Sequence, residues 1–245
     1  MSNVLAAEIL KLRTTRIVWY LLLATIGLTA LAVGAAVIVA NNAHLDLSSD
    51  RAVREVLHVS ASGALFVLVL GVIISAGEFR QRTATDTFLT TPDRWKVIAA
   101  KLIVATGTGT VFGALSAGTA LFVANHVYSL VGVSFPLASS DAWQILVGSV
   151  IYAALFGALG AATGSLVRNQ VAGIVGWLVW VLLAENILLG VLPELGKWLP
   201  AAAGRALVRD PNGAFLSQPV AALALVAYAL VIASVAIAAE RRRDA

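Results

Sequence analysis

Residues 17–40 read IVWYLLLATIGLTALAVGAAVIVA, an apolar run without a single charged residue. A helix needs about 20 consecutive apolar residues to cross the hydrocarbon core of a bilayer. The apolar region of a secretory signal peptide is shorter, roughly 7–15 residues, so this run does not fit one. We therefore predict that residues 17–40 form a transmembrane helix.

Five further apolar runs approach or exceed the length that a bilayer requires. They cover residues 58–76, 97–124, 143–167, 171–191 and 218–239. Hydrophobic residues make up 60% of the 245 and charged residues only 12%, about half the charged fraction of an ordinary soluble domain. Because the runs are continuously apolar rather than alternating, they predict helices. The fold class expected is all-α integral membrane, with six transmembrane helices in a single domain over residues 1–245.

The lysines and arginines are distributed unevenly between the two sides of this predicted bundle. Cytoplasmic loops are enriched in these residues, and the larger group should mark the cytoplasmic side. The larger group is Lys11, Arg13, Arg16, Arg80, Arg82, Arg94, Lys96, Lys101, Arg168, Arg241, Arg242 and Arg243, and the smaller is Arg51, Arg54, Lys197, Arg205 and Arg209. This predicts a multi-pass protein of the cytoplasmic (inner) membrane with both termini in the cytoplasm. The net charge of +4 is then an orientation signal, and no nucleic-acid binding is expected.

Residues 2–16 precede the first predicted span. Leu5, Ile9 and Leu12 recur at helical spacing, which favours an interfacial elbow helix along the cytoplasmic surface. The alternative is a first transmembrane helix that begins early with a charged collar. Farther along, Gly109 and Gly160 belong to small-residue patterns that predict close helix contacts, either within one chain or between two.

A polar stretch, GEFRQRTATDTFLTTPDRWKVIAAK at residues 77–101, separates the second and third predicted spans. We predict a coupling loop at 77–96, with a short helix over residues 83–90 lying across the cytoplasmic face. Its charged and hydroxyl side chains suit docking into a groove on another protein. The alternative is an ordinary positive-inside loop, which every polytopic protein needs.

This stretch resembles the loop between helices 2 and 3 of ABC-2 type (type-2 exporter) ABC transporter permeases. That loop has a Gly-Glu-aromatic-Arg segment, a Thr, a Pro-containing turn, a basic residue and a Lys that opens helix 3. The matching residues are Gly77, Glu78, Phe79, Arg80, Thr83, Pro92, Arg94 and Lys101. The family often has Gly before the Thr, where this chain has Arg82. Residues 8–13, EILKLR, also resemble the elbow of that family.

The resemblance implies a permease subunit that is not itself an enzyme. The chain has no G-x-x-x-x-G-K-[ST] motif, so ATP and Mg²⁺ would be held by a separate ABC ATPase subunit, present in two copies. The permease would pair with a second copy or a paralogue, and no cofactor would bind this chain. The residues expected to contact the ATPase are Glu78, Arg80, Arg82, Thr83, Pro92, Arg94 and Lys101.

Glu185 is the one acidic residue inside a predicted span, and Asn186 follows it. A carboxylate in hydrocarbon is costly unless it is paired, protonated or facing water. The two residues therefore either contact a substrate in the translocation path, or lie near the external interface where the helix breaks, or hydrogen-bond a neighbouring helix. The sequence leaves these three interpretations open.

Other chemistries have little support. The chain has no cysteine, and His44, His58 and His126 lack the spacing of a metal site, so no metal or catalytic residue is predicted. The alternative function is a secondary transporter or channel that works without an ATPase. Two features argue against a secondary transporter: the sequence shows no inverted repeat, and it has a single acidic residue within the predicted spans. A third possibility is an accessory or sensor protein that binds ligands through its loops and moves nothing, which a large external loop would favour.

Overall fold

The computed structural model describes residues 2–81, 94–213 and 215–242, and it is helical in those ranges, with no strand. Side chains are described for all of these except residues 2–3, 78–81, 94 and 240–242. The helices are α1 (Ser2–Thr14), α2 (Arg16–Asn42), α3 (Asp50–Leu57), α4 (Ala64–Gln81), α5 (Arg94–Leu130), α6 (Ser140–Val167), α7 (Gln170–Val179), α8 (Glu185–Val191), α9 (Pro193–Gly196), α10 (Pro200–Leu207) and α11 (Gln218–Arg242). A 3-10 turn, His58–Ala61, joins α3 to α4, and a π-helical segment, Trp180–Ala184, joins α7 to α8.

Six helical stretches are long and apolar enough to span a membrane, which confirms the predicted all-α membrane fold. They are Arg16–Asn42, Asp50–Gly77, Trp95–Leu130, Ser140–Val167, Gln170–Val191 and Gln218–Ala239. Consecutive stretches run in opposite directions. We call the side that holds α1 and the starts of α5 and α7 the α1 side, and the side that holds α3 and α10 the α10 side.

The second stretch begins at Asp50, earlier than the predicted start at residue 58, because α3 continues it through the 3-10 turn. Ser49 caps α3 by accepting a hydrogen bond from the N–H of Ala52. Charged residues alternate with buried apolar ones such as Val53 and Val56. A search for continuous apolar runs therefore stops short of this amphipathic helix.

The helix α6 forms the centre of the bundle. In the most apolar segment of 18 residues within Ser140–Val167, 67% is buried. The corresponding share in Gln170–Val191 is 11%. A Cβ atom at Gly160 would lie 2.0 Å from the carbonyl oxygen of Leu68, and one at Gly109 would lie 2.4 Å from that of Ala153. The backbones of α4 and α5 thus touch α6 directly, which confirms the predicted close contacts and places them within one chain. Gly113, Gly157 and Gly164 make similar approaches.

Candidate functional site

The predicted coupling loop lies between α4 and α5. The backbone is helical at Glu78 and Arg80, at the end of α4, and at Arg94, where α5 begins. Arg82, Thr83, Pro92 and the helix predicted at residues 83–90 lie outside the described residues. The role of this segment as a docking site therefore stays a prediction.

Lys101 is the predicted coupling residue whose side chain the structure describes. It lies in the second turn of α5 and is 4% exposed. Its Nζ donates hydrogen bonds to both carboxylate oxygens of Glu8, at 3.2 Å to Oε1 and 3.1 Å to Oε2. Glu8 belongs to α1 and is only 2% exposed. Lys11, one turn farther along α1, donates to Glu8 Oε1 at 2.9 Å.

The Glu8–Lys101 ion pair ties α1 to the first turns of α5. Removing one partner from a buried ion pair leaves an uncompensated charge, which typically costs about 3–5 kcal/mol. Separating α1 from α5 would carry a penalty of the same origin. A buried ion pair therefore joins these two helical segments, and Lys101 follows the polar stretch at residues 77–96 by five positions in the sequence.

The apolar stripe of α1 is only partly buried, since Leu5 and Leu12 are half-buried. Ile9, a member of that stripe, is 46% exposed, whereas Glu8 is buried. The face of α1 that turns inward carries Glu8, whose carboxylate bonds the buried ammonium group of Lys101, as a buried charge requires a partner. Sequence patterns could not show this contact, since the two residues are 93 positions apart.

Glu185 is 1% exposed and contacts the short helix α10. Its Oε2 accepts hydrogen bonds from the backbone N–H groups of Ala201, at 2.8 Å, and Ala202, at 3.2 Å. These N–H groups belong to the first turn of α10. The N–H groups of a first turn have no hydrogen-bond acceptor within their own helix. Glu185 thus caps α10 from a neighbouring span. Among the described residues its Oε1 has no hydrogen-bond partner.

Asn186 contacts the same helix as Glu185. Its Oδ1 accepts a hydrogen bond from Arg205 Nη2 at 2.9 Å. Its Nδ2 donates to the carbonyl oxygens of Val181, at 3.2 Å, and Leu182, at 3.0 Å, within the π-helical segment. Such segments leave backbone groups without regular partners and often occur at functional sites. The geometry matches the interpretation in which Glu185 and Asn186 bond a neighbouring helix, and the translocation role stays a prediction.

The helix α10 is buried along nearly its whole length, although it lies in a connection between two spans. Tyr152 of α6 packs on Gly204, where a Cβ atom would lie 2.0 Å from the tyrosine ring. The ring of Tyr152 also meets that of Phe156 edge-on, with centroids 4.4 Å apart. The α10 part of the connection at residues 192–217 is therefore packed into the bundle.

A third polar cluster, which the sequence did not indicate, lies on the α10 side. Asp141, in the first turn of α6, is 6% exposed and accepts hydrogen bonds from Arg54 Nε and Arg209 Nη1. Arg209 Nη1 also donates to Gln144 Oε1 at 2.6 Å. The cluster joins α3, α6 and the chain that follows α10. Two arginines far apart in the sequence converge on one carboxylate, and no local spacing could have predicted this.

The described residues contain no group of three or more His, Asp or Glu side chains that could hold a metal ion. No protein-family model matches the chain, and a search among curated proteins finds no significant match.

Proposed function

We propose that this chain is the membrane-spanning permease subunit of an ABC transporter of the exporter class. A separate ATPase subunit, in two copies, would hold ATP and Mg²⁺ and drive transport across the cytoplasmic membrane. The α1 side would face the cytoplasm, as the distribution of lysine and arginine suggests. The observation that carries the proposal is the buried Glu8–Lys101 ion pair next to the polar stretch at residues 77–96.

A permease must convert a push at its surface into movement of its spans. Force applied to residues 77–96 would act on the end of α4 and the start of α5. Because Lys101 is bonded to Glu8, α1 would move with α5. A rigid-body shift of this kind is a common route between two conformations of a transporter. In this arrangement α1 serves as the interfacial elbow helix.

The seven predicted coupling residues then divide into two roles. Lys101 is buried, so we assign it a positioning role: it passes the movement of α5 to α1. The other six would contact the ATPase directly, as the family resemblance implies. They are Glu78, Arg80, Arg82, Thr83, Pro92 and Arg94.

The outer surface of the bundle supports pairing with a second permease chain. The most apolar segment of the stretch Gln170–Val191 is only 11% buried. Exposed residues such as Val171, Val175 and Leu182 lie along it. In a membrane this face is covered by lipid or by another helix, and a dimer with a second copy or a paralogue would cover part of it. Glu185 and Asn186, at the α10 end of this stretch, would line the translocation path.

The proposal is tested by purifying the chain from its native membranes in mild detergent and identifying co-purified proteins by mass spectrometry. We expect a stoichiometric subunit that contains a P-loop. It should be lost in the double variant R80E/R94E, because reversed charges would oppose docking. The matched control is R13E, a charge reversal at an exposed arginine of α1, which should retain the subunit.

Two results would contradict the proposal. A chain that elutes alone, under conditions that preserve other membrane complexes, would favour the secondary transporter or channel. Retention of the P-loop subunit by R80E/R94E would show that the ATPase docks elsewhere. In the first case Glu185→Gln in a transport assay becomes the decisive variant, since a proton- or ion-coupled carrier needs a titratable group in its path.

A further inference from the structure

Two cavities adjoin on the α10 side, and they differ in chemistry. One has a volume of about 530 Å³ and is lined by polar groups, including Arg54 and Arg209. The other has a volume of about 400 Å³ and is apolar. Gln144, Gln218 and Pro219 line both, so the two share a wall. Each volume falls within the roughly 300–1,000 Å³ of typical ligand sites.

The polar cavity carries unused hydrogen-bonding capacity. Arg54 donates a hydrogen bond to Asp141 from Nε alone. Arg209 donates to Asp141 and to Gln144 from Nη1 alone. Within the described part of the chain, the remaining guanidinium N–H groups of both arginines have no partner. The side chains are 40% and 30% exposed. Asp210 also lines this cavity, so two carboxylates balance the two guanidinium charges. Asp210 Oδ1 already accepts hydrogen bonds from Asn212, and the free guanidinium N–H groups are donors of the kind that binds a phosphate.

The apolar cavity continues from this cluster along α6 into the membrane. Trp143, Val147 and Ile151 line it at intervals of four residues, on one face of the helix. At 1.5 Å per residue, the distance from Trp143 to Ile151 is about 12 Å along the helix axis. Trp143 and Val147 are both more than half exposed, so this wall opens sideways toward lipid.

We propose that the two cavities form one binding site for an anionic phospholipid of the leaflet on the α10 side. The phosphate would bind the free N–H groups of Arg54 and Arg209, and one acyl chain would lie along Trp143, Val147 and Ile151. Guanidinium donors at one end and an apolar slot at hydrocarbon depth at the other match an anionic amphiphile. A soluble anion would use only the first feature. The inference goes beyond the proposed function, because it needs no ATPase and no transport.

The test uses the purified full chain and native mass spectrometry with phosphatidylglycerol or phosphatidylcholine of identical acyl chains. We expect phosphatidylglycerol to bind at least about tenfold more tightly, since hydrogen bonds to a charged group contribute that much. R54Q should remove most of this preference. The matched control is R51Q, which changes an exposed arginine on the same helix that does not line the cavity, and it should bind like the unmodified chain.

A second pair of variants tests the acyl slot. A222W would fill the apolar cavity, which Ala222 lines, and should reduce phosphatidylglycerol binding about tenfold. L223W changes the neighbouring, exposed residue outside the cavity and should leave binding unchanged. Melting temperatures establish that each variant folds. If A222W does not fold, V147W replaces it, because Val147 is already 55% exposed.

Four outcomes would overturn the proposal. Equal binding of the two lipids would exclude recognition by the arginines. Equal effects of A222W and L223W would mean nonspecific annular lipid. Displacement of phosphatidylglycerol by inorganic phosphate at equal concentration would identify a free-anion site. Loss of a dimer in A222W, with lipid binding retained, would make the slot an interface between two copies of the chain.

Discussion

Among the residues whose side chains the structure describes, two glutamates are almost fully buried, on opposite sides of the bundle. They are stabilised in different ways. Glu8 pairs with the ammonium group of Lys101. Glu185 has no ion-pair partner among the described residues, and its Oε2 accepts two backbone N–H groups of α10. The first carboxylate joins two helical segments through opposite charges, and the second completes the end of a short helix. Removing Glu8 takes away a charge that Lys101 bonds, whereas removing Glu185 leaves the N–H groups of Ala201 and Ala202 without that acceptor.

The largest effect is expected from Glu8→Leu. It removes the buried carboxylate that Lys101 and Lys11 both bond, and it should lower the free energy of unfolding by up to about 3–5 kcal/mol. The free energy of unfolding is measured by denaturing the purified protein in mixed detergent micelles. Glu194→Gln is the matched control: it removes an ion pair with Lys197 in which Glu194 is 88% exposed, and such pairs contribute only about 0–1 kcal/mol.

The double variant E8L/K101M sharpens this prediction. If the two side chains act as a pair, the combined loss should be clearly smaller than the sum of the two single losses. Additive losses would show that Glu8 and Lys101 stabilise the fold independently. In that case the mechanical connection between α1 and α5 would lose its basis.

The intermediate effect is expected from Glu185→Leu. It leaves the N–H groups of Ala201 and Ala202 without acceptors, and the unmet hydrogen bonds should cost about 1–3 kcal/mol. Glu185→Gln keeps an acceptor oxygen of similar reach and should cost less than half as much. The same unfolding assay measures both variants. Equal losses for Leu and Gln would mean that the negative charge, and not the cap, matters at this position.

The smallest effect is expected at Asp46, an exposed carboxylate in the connection between α2 and α3. The hydroxyl and the backbone N–H of Ser48 both donate hydrogen bonds to the carboxylate of Asp46. These bonds, that of the hydroxyl first, lower the pKa of the Asp46 carboxyl below its usual value. A carboxyl whose pKa is lower in the folded state stabilises the protein above roughly pH 4, and this contribution is lost as the pH falls further.

Asp46→Asn removes this titration. The unmodified chain should melt at a slightly higher temperature than the variant at neutral pH, and the difference should disappear as the pH falls below about 4. A difference that persists at low pH would mean that the hydrogen-bonding geometry, rather than the charge, stabilises the turn. A difference larger than that of Glu185→Gln would contradict the order of effects expected here.

The six spans were predictable because a single physical requirement, about 20 apolar residues per crossing, acts locally on the chain. The close helix contacts of the third and fourth spans were predictable for a similar reason. Close approach of two helices needs small side chains at regular spacing, and the glycine patterns supply them. The start of the second span was placed late because α3 is amphipathic. Its inward face rests on α6 and not on lipid, and only the folded bundle provides that surface.

The candidate sites were predictable only in part. Glu185 stood out because a charged residue within an apolar run is rare and costly. Its partner could not be found, because the N–H groups of Ala201 and Ala202 belong to the backbone and leave no mark in the sequence. Lys101 was placed by its position at the start of a span, but its bond to Glu8 crosses 93 residues.

The sequence by itself determined that this protein has six helices long and apolar enough to cross a membrane, because length and hydropathy decide the transfer of a segment into lipid one helix at a time. The tertiary structure decided which charges meet inside the bundle. Glu8 with Lys101, Glu185 with α10, and Asp141 with two arginines are all contacts between distant segments. Each exists because a buried charge or N–H group needs a partner, and only the packed arrangement of the helices decides which partner is within reach.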